Sequence, residues 1–335
     1  MLAIQEKILE GIKKRTDEKE LTEYMLKCCM KLMSQQFDDK TLNLKQCAEA
    51  VLNREEPEYA LSLHFPQFNW FKLSSGLHII AAPSGHGKTL FAMEYAKAAA
   101  AAEQSVLFLS LEMTHEDLGA RILSEISELP MSQIASGSLS DVQKQLLRGM
   151  LTNYDFLEKV TVDKFGSLDW VKIYPRLWNK VLQLRPKLII VDFIQMIHDS
   201  DSDDGRLSQV YSNIARELKL FADQTKSAVL VLSQMNREAV KEVEKSKWPG
   251  DVVPLRNSQV KESGGIVEAA DSVQLVCIPE RFMNCPPHLK GRFQVIVDKN
   301  RKFGELGISN LQIDMTCGRF VGGAGCNHRH NGSYD

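Results

Sequence analysis

The segment APSGHGKT, Ala82–Thr89, constrains this chain more than any other part of it. It follows the apolar run LHIIAA (Leu77–Ala82) and leads into LFAMEYAKAAAAA, a helical composition. Two glycines ahead of a Lys-Thr pair, set between a strand and a helix, make a phosphate-binding loop. Glycine lets backbone N–H groups close around phosphate oxygens, and the following helix points the positive end of its dipole at the anion. On this reading Ser84, Gly85, His86, Gly87, Lys88, Thr89 and Leu90 line a site for ATP. Lys88 reaches the β- and γ-phosphates and the Thr89 hydroxyl holds Mg²⁺. Ala82 stands where such loops usually begin with glycine. A glycine-rich turn with no ligand has the same letters, and the strand–loop–helix context argues against it.

Around this loop, strand-like and helix-like segments alternate. SVLFLSLE (Ser105–Glu112), VTVD (Val160–Asp163), KLIIVDF (Lys187–Phe193), AVLVLSQ (Ala228–Gln234), SVQLVCI (Ser272–Ile278) and FQVIVDK (Phe293–Lys299) read as strands. LQIDM (Leu311–Met315) is expected to close the sheet at its edge. Apolar runs separated by helices predict an α/β fold with a mostly parallel central sheet covered on both faces. Two segments read as long loops, His198–Arg206 and Glu244–Gly265, and loops of that length are functional or disordered.

A nucleotide site needs carboxylates. KLIIVD ends its strand in Asp192, at the expected carboxyl edge of a parallel sheet, where it can serve the metal ion beside Thr89. Glu112 ends the strand that follows the P-loop helix and is a candidate to orient the attacking water. Gln234, at the end of AVLVLSQ, is a candidate sensor of the γ-phosphate. For both, a strand-end polar residue bonding solvent or a loop fits the pattern as well.

Residues 1–58 differ from the rest. Three amphipathic helical stretches without a strand predict a small helical region, either a packed cap or a docking element for a neighbouring subunit. Residues 59–322 are expected to form the nucleotide-binding domain and 323–335 a disordered tail. The seven scattered cysteines form no disulfide framework, which fits a reducing cytoplasm. No apolar run reaches membrane-spanning length, and the N-terminus has no secretory h-region, so no membrane association is expected. A net charge of −2 gives no general attraction to nucleic acid, so any strand contact must be local. Cys326, His328 and His330 form a string that lacks a complementary pair at zinc-finger spacing. Cys28 and Cys29 fit a helix core, and Trp70, Phe71 and Trp248 fit a core or loop anchor better than a base-stacking surface.

Taken in order, APSGHGKT, SLEMTHEDLGARIL (Ser110–Leu123), IIVDFIQMI (Ile189–Ile197), ARELKLFADQTKSAVLVLSQMNR (Ala215–Arg237), KESGGIVEAADSVQLV (Lys261–Val276) and VDKNRKFGELG (Val297–Gly307) resemble the C-terminal RecA-like motor domain of DnaB-type replicative DNA helicases, over residues 68–320. Ala82 is similar to that family too. The resemblance implies an ATP hydrolase that forms a ring, a hexamer, and moves 5′ to 3′ along single-stranded DNA. It implies that Glu112 is the catalytic carboxylate and that Gln234 links the γ-phosphate to the DNA-binding loops. It implies that Lys299 and Arg301 reach into the neighbouring subunit's ATP site, and that Lys261, Glu262 and Gly264 contact the DNA strand. Lys261 stands where the family usually has arginine, which keeps the charge and loses the bidentate fork. Family members usually carry a larger globular N-terminal domain ahead of a linker helix; here the stretch Thr41–Arg54 matches the linker helix and the first two helices a reduced collar. Primase, a loader and other replication proteins are the partners this implies. An accessory ATPase that binds DNA or remodels a partner ring without unwinding is the alternative. A non-catalytic interaction protein fits poorly with Lys88, Thr89, Glu112 and Asp192 all present.

Overall fold

The computed structural model describes residues 43–53, 59–164, 166–200, 207–248, 250–261 and 263–321. The chain divides into two compact units, 1–57 and 58–335. In the first, α1 (Leu44–Leu52) is described, a shorter helix than the Thr41–Arg54 stretch. Its start is fixed by a capping box: Asn43 Oδ1 accepts from the Gln46 N–H, and Gln46 Oε1 accepts from the Asn43 N–H, both at 2.9 Å. Leu44, Val51 and Leu52 are exposed. The first two expected helices, with Cys28 and Cys29, lie outside the described residues, as do Glu262 and the Cys326–His330 string.

In the second unit, β1 (Ala60–Leu61) and β2 (Leu73–Ser74) form a small antiparallel pair. The main sheet comprises β3 (Gly76–Ala82), β4 (Val106–Ser110), β5 (Val160–Lys164), β6 (Leu188–Asp192), β7 (Ala228–Gln234), β8 (Ser272–Cys277), β9 (Arg292–Asn300), β10 (Gly307–Asp314) and β11 (Arg319–Phe320). Their order is β11-β10-β9-β8-β3-β7-β6-β4-β5. The run from β8 to β5 is parallel, and β9, β10 and β11 extend it as antiparallel ribbons. The strand β10 therefore is not the edge; the short β11 lies outside it.

Alternate residues of the buried strands face opposite cores, as period-two geometry requires. Ile80, Phe108, Ile190 and Leu230 pack beneath α2 (Lys88–Ala101), with Phe91 and Tyr95 and the aromatic cluster Phe65, Phe68 and Phe71. Ile79, Leu107, Val191 and Val229 pack under α6 (Trp170–Leu184) and α7 (Leu207–Thr225). Both layers are thus covered, and α2 is buried along most of its length. Between β4 and β5 lie α3 (His115–Ser127), α4 (Met131–Ala135) and α5 (Asp141–Leu151). A buried ion triad ties the first of these to α2: Lys97 Nζ sits 2.5 Å from Glu94 Oε1 and also contacts Glu125. Trp70 and Phe71 belong to the packed interior, and Trp248 anchors its loop by donating from Nε1 to the Val243 carbonyl at 3.2 Å.

The segment Glu244–Gly265, expected as a loop, is more ordered than its sequence suggests. The helix α8 (Arg237–Lys245) enters it and α9 (Ser263–Ala269) leaves it. Two glycines early in α9 hide the helix from propensity arguments. The compensation is close packing on α7, where a Cβ at Gly265 would overlap the Ser212 side chain.

At the start of the central strand, His78 is fully enclosed. Its Nε2–H donates to the Ser74 carbonyl at 2.7 Å and Nδ1 accepts from the Ser272 hydroxyl at 2.8 Å. Burial pushes its pKa down to about 4, against the small opposing pull of the Ser74 carbonyl and Asp271. The folded value lies below the unfolded one of about 6.5, so the neutral imidazole stabilises the fold above pH 6.5 and this contribution is lost as pH falls towards 4. Glu94, raised to about 7 by burial, titrates nearby with the opposite sign, so the measurement must be differential. In urea denaturation, the stability gap between wild type and His78→Gln is expected to shrink by roughly 2–3 kcal/mol from pH 7 to pH 4.

Candidate active site

The glycine-rich loop turns on two residues in the left-handed region, Gly85 at φ +76° and Gly87 at φ +83°. Gly87 is also the N-cap of α2, and a Cβ there would stand 2.9 Å from the Phe293 ring. Strain and crowding together exclude any larger residue. His86, 5% exposed, is locked by accepting the Ile278 N–H on Nδ1 at 3.3 Å. Burial first, and Arg281 second, hold its pKa down to about 4. The Arg281 guanidinium donates to the Gly85 carbonyl. Ser84 and Gly85 are exposed on the outer lip, Gly87 and Lys88 are half-buried, and the Leu90 side chain enters the core. Leu90 therefore has only backbone to offer a ligand.

The site lies at the carboxyl edge of the parallel strands, and the register explains what meets there. Ser110 of β4 pairs with Asp192 of β6, and Ala82 of β3 pairs with Gln234 of β7. Thr89 Oγ1, in the first turn of α2, donates to Asp192 Oδ2 at 2.8 Å. Lys88 Nζ stands 3.4 Å from Glu112 Oε2, 3.9 Å from Asp192 Oδ1 and 4.4 Å above the Phe193 ring. Glu112 sits just past the end of β4, on a turn braced at both sides. The Leu111 N–H donates to the Asp192 carbonyl at 2.8 Å, and Ser110 Oγ donates to the Met113 carbonyl at 2.7 Å. Thr114 then caps α3 with Asp117 in a reciprocal box.

Asp192 is fully buried, and its Oδ1 has no hydrogen-bond partner. Burial raises its pKa, opposed mainly by Lys88 and then by Thr89. A desolvated carboxylate oxygen with no donor, beside a threonine hydroxyl and a half-buried lysine, is unfavourable for an isolated fold and well suited to a hard cation and its phosphates. Thr89 and Asp192 can hold Mg²⁺, Lys88 can neutralise phosphate, and Glu112 can accept a proton from water or orient it. Among the described residues no cluster of three His, Cys, Asp or Glu side chains is placed to hold a metal by itself.

Other expected residues are placed elsewhere. Lys299 and Arg301 follow β9 to the opposite end of the sheet. Lys299 Nζ donates to the Val267 carbonyl at 2.6 Å and Arg301 Nη2 to the Glu268 carbonyl at 2.7 Å, at the last turn of α9. Burial, then Arg301, lowers the Lys299 pKa. The Arg301 N–H donates to the Asp271 carbonyl, and the Asp271 N–H to that of Leu77. That is five residues along β3 from Ala82, roughly 17 Å at the strand rise. Neither cation is brought to its own chain's P-loop. Lys261 and Gly264 are exposed at the entry to α9. Two residues not singled out in the sequence belong to this site. One is Arg281, noted above. The other is Arg121 on α3, whose buried Nε has no hydrogen-bond partner and whose pKa is lowered by burial against Asp192, Asp117 and Glu112. Arg121 stands within the stretch Ser110–Leu123, but only the tertiary fold brings it near Asp192.

A parallel sheet with its glycine loop at the carboxyl edge, flanked on both faces by helices and extended by antiparallel strands, is a RecA-like P-loop ATPase fold. Residues 71–322 match the family described as the DnaB-like helicase C terminal domain, and the chain belongs to that family. "Replicative DNA helicase DnaB" of Haemophilus influenzae is 28% identical over 250 residues, 73% of this chain and 51% of that protein. Its counterpart in Buchnera aphidicola subsp. Schizaphis graminum is 29% identical over 252 residues, with the same shares. The chain thus spans about half the length of the curated relatives it matches. Among solved structures, one described as a DnaB-like replicative helicase and its interactions with primase has a TM-score of 0.71 at 20% identity, covering 96% of this chain and 74% of that one. A second, described as an ATPase domain, has a TM-score of 0.62 at 22% identity, covering 74% of this chain and 84% of that one. These two likenesses establish the fold.

The role expected of Asp192 sets function against stability. Asp192→Asn keeps an acceptor for Thr89 and removes the buried charge. Thermal melting is expected to give a midpoint at or above wild type, and titration with an ATP analogue to show Mg²⁺-dependent affinity weakened roughly 10–100-fold.

Proposed function

We propose that this chain is an ATP-hydrolysing helicase motor that assembles into a ring, a hexamer, and pulls single-stranded DNA through it. One observation carries the reading: Lys88, Thr89, Glu112 and Asp192 converge at one end of the sheet while Lys299 and Arg301 stand at the other. Each chain would hold its own triphosphate through the P-loop. The basic pair that neutralises transition-state charge would come from the next copy around the ring. Thr89 and Asp192 would hold Mg²⁺, which would supply charge neutralisation to the phosphates. Glu112 would orient the attacking water, and Gln234, beside Ala82 on the neighbouring strand, would sense the γ-phosphate. Lys261 and Gly264, and Glu262 with them, would track the strand by its backbone, which gives grip without sequence preference.

The relatives are named as bacterial replicative helicases. A replicative role in a bacterial cytoplasm or a phage-infected cell is proposed for this chain with them. Among the described residues no helix is long and apolar enough to cross a membrane. The helix α1, with Leu44, Val51 and Leu52 exposed, would serve as the linker segment, and residues 59–322 as the motor. Primase is proposed as a partner because a protein of this fold is described with it.

Lys88→Ala is expected to abolish ATP turnover. Arg301→Ala should lower it by about 10³–10⁵-fold with ATP binding retained. The in-trans arrangement gives a sharper outcome. Mixing the two inactive variants in equal amounts should restore about a quarter of wild-type turnover, because a sound P-loop faces a sound Arg301 at one interface in four. Turnover that stays absent in the mixture, or that survives in Arg301→Ala alone, contradicts the assignment. A forked duplex with ATP then separates helicase from accessory ATPase: DNA-stimulated turnover with no strand separation favours the latter.

A further inference from the structure

Just past Asp192, the short 3₁₀ turn Ile194–Met196 carries Gln195. Its carboxamide meets both the end of β7 and the Lys261 segment. Oε1 accepts the Gln234 N–H at 3.1 Å. Nε2 donates to the buried Ser233 hydroxyl at 2.7 Å and lies 3.5 Å from the Lys261 carbonyl. The Gln195 backbone carbonyl accepts from the Tyr211 hydroxyl of α7 at 3.2 Å. The partners are joined to each other as well. The Lys261 N–H donates to the Gln234 carbonyl at 2.8 Å, and Met235 forms an isolated bridge with Val260.

Gln234 is therefore held from both sides: its N–H by Gln195 and its carbonyl by Lys261. A movement of its backbone towards a nucleotide cannot leave Gln195 and Lys261 where they are. We propose that Gln195 is a positioning residue that couples the nucleotide-facing end of β7 to the Lys261 segment, so that the state of the triphosphate sets the grip on the strand. This rests on the motor reading above. The chemistry favours glutamine here. One planar head must accept from a backbone N–H and donate both to a hydroxyl and towards a carbonyl; a neutral imidazole has a single N–H to give, whereas a carboxamide has an acceptor oxygen and two N–H donors. Asparagine is one methylene shorter. Glutamate keeps the acceptors, loses the N–H and turns a negative charge on the Lys261 carbonyl.

A pin that merely stabilises the turn would have the same contacts, so the test reads coupling and not activity alone. Using the full chain, the affinity for an oligothymidylate is measured with ADP and with a non-hydrolysable ATP analogue, for wild type and for Gln195→Glu. The ratio of the two affinities in wild type is expected in the range of two-site coupling, about 5- to 150-fold. In Gln195→Glu it should fall close to one, with nucleotide affinity itself little changed. A structural pin would instead lower thermal stability or both affinities together and leave the ratio intact; that result overturns the inference. Should Gln195→Glu fail to fold, Gln195→Met, similar in length and without a polar head, reads the same ratio. The two proposals fail differently. If wild type responds to DNA and the variant responds equally, the coupling role is wrong and the motor stands. If wild type binds no strand and its ATP turnover ignores DNA, the motor reading is wrong and the coupling role goes with it.

Discussion

A single buried carboxylate organises this molecule. Asp192 ends an all-apolar strand, and one of its oxygens is bound to Thr89 while the other has no donor. An ionised group in that state raises the free energy of the fold, and nothing in the chain fully compensates it. The strand β6 is flanked by β4 and β7, so the position of Asp192 is fixed by ladders on both sides. Lys88 and Thr89 are brought to it by the first turn of α2, which the left-handed Gly87 allows to begin there. The site is thus held by rigid elements in an arrangement that a cation and a polyphosphate would complete.

The sheet also accounts for the proposal that a catalytic site is completed by a second copy of the chain. Parallel strands gather their carboxyl ends at one edge, and the antiparallel return of β9 carries Lys299 and Arg301 to the other. On that proposal the basic pair serves a neighbour and would have to be kept away from its own phosphates. Here both cations are held by the terminal carbonyls of α9, where the helix dipole favours positive charge. The same helix begins beside Lys261. One short element therefore joins the region proposed to grip DNA to the region proposed to reach the next subunit.

How legible all this was in the sequence differs by residue. The P-loop was plain, because glycine, lysine and threonine at that spacing have one physical use after a strand. The parallel strands were plain too, since strands buried on both faces lose their polar alternation. The helix α9 was not, because Gly264 and Gly265 argue against a helix until α7 is seen packed against Gly265. Arg121 and Gln195 were passed over for a different reason. Each lies inside a stretch singled out for another residue, and their significance comes from contacts made far along the chain.

Sequence by itself determined the class of fold, the phosphate loop and the carboxylate that ends the fourth strand of the parallel array, because these follow from local patterns of polarity and backbone freedom. Only tertiary structure decided that Asp192 keeps an unpartnered oxygen, that Arg301 cannot reach its own P-loop, and that Gln195 stands between Gln234 and Lys261. These are facts of register and sheet order, and register is set by the ladder as a whole, which no local pattern encodes.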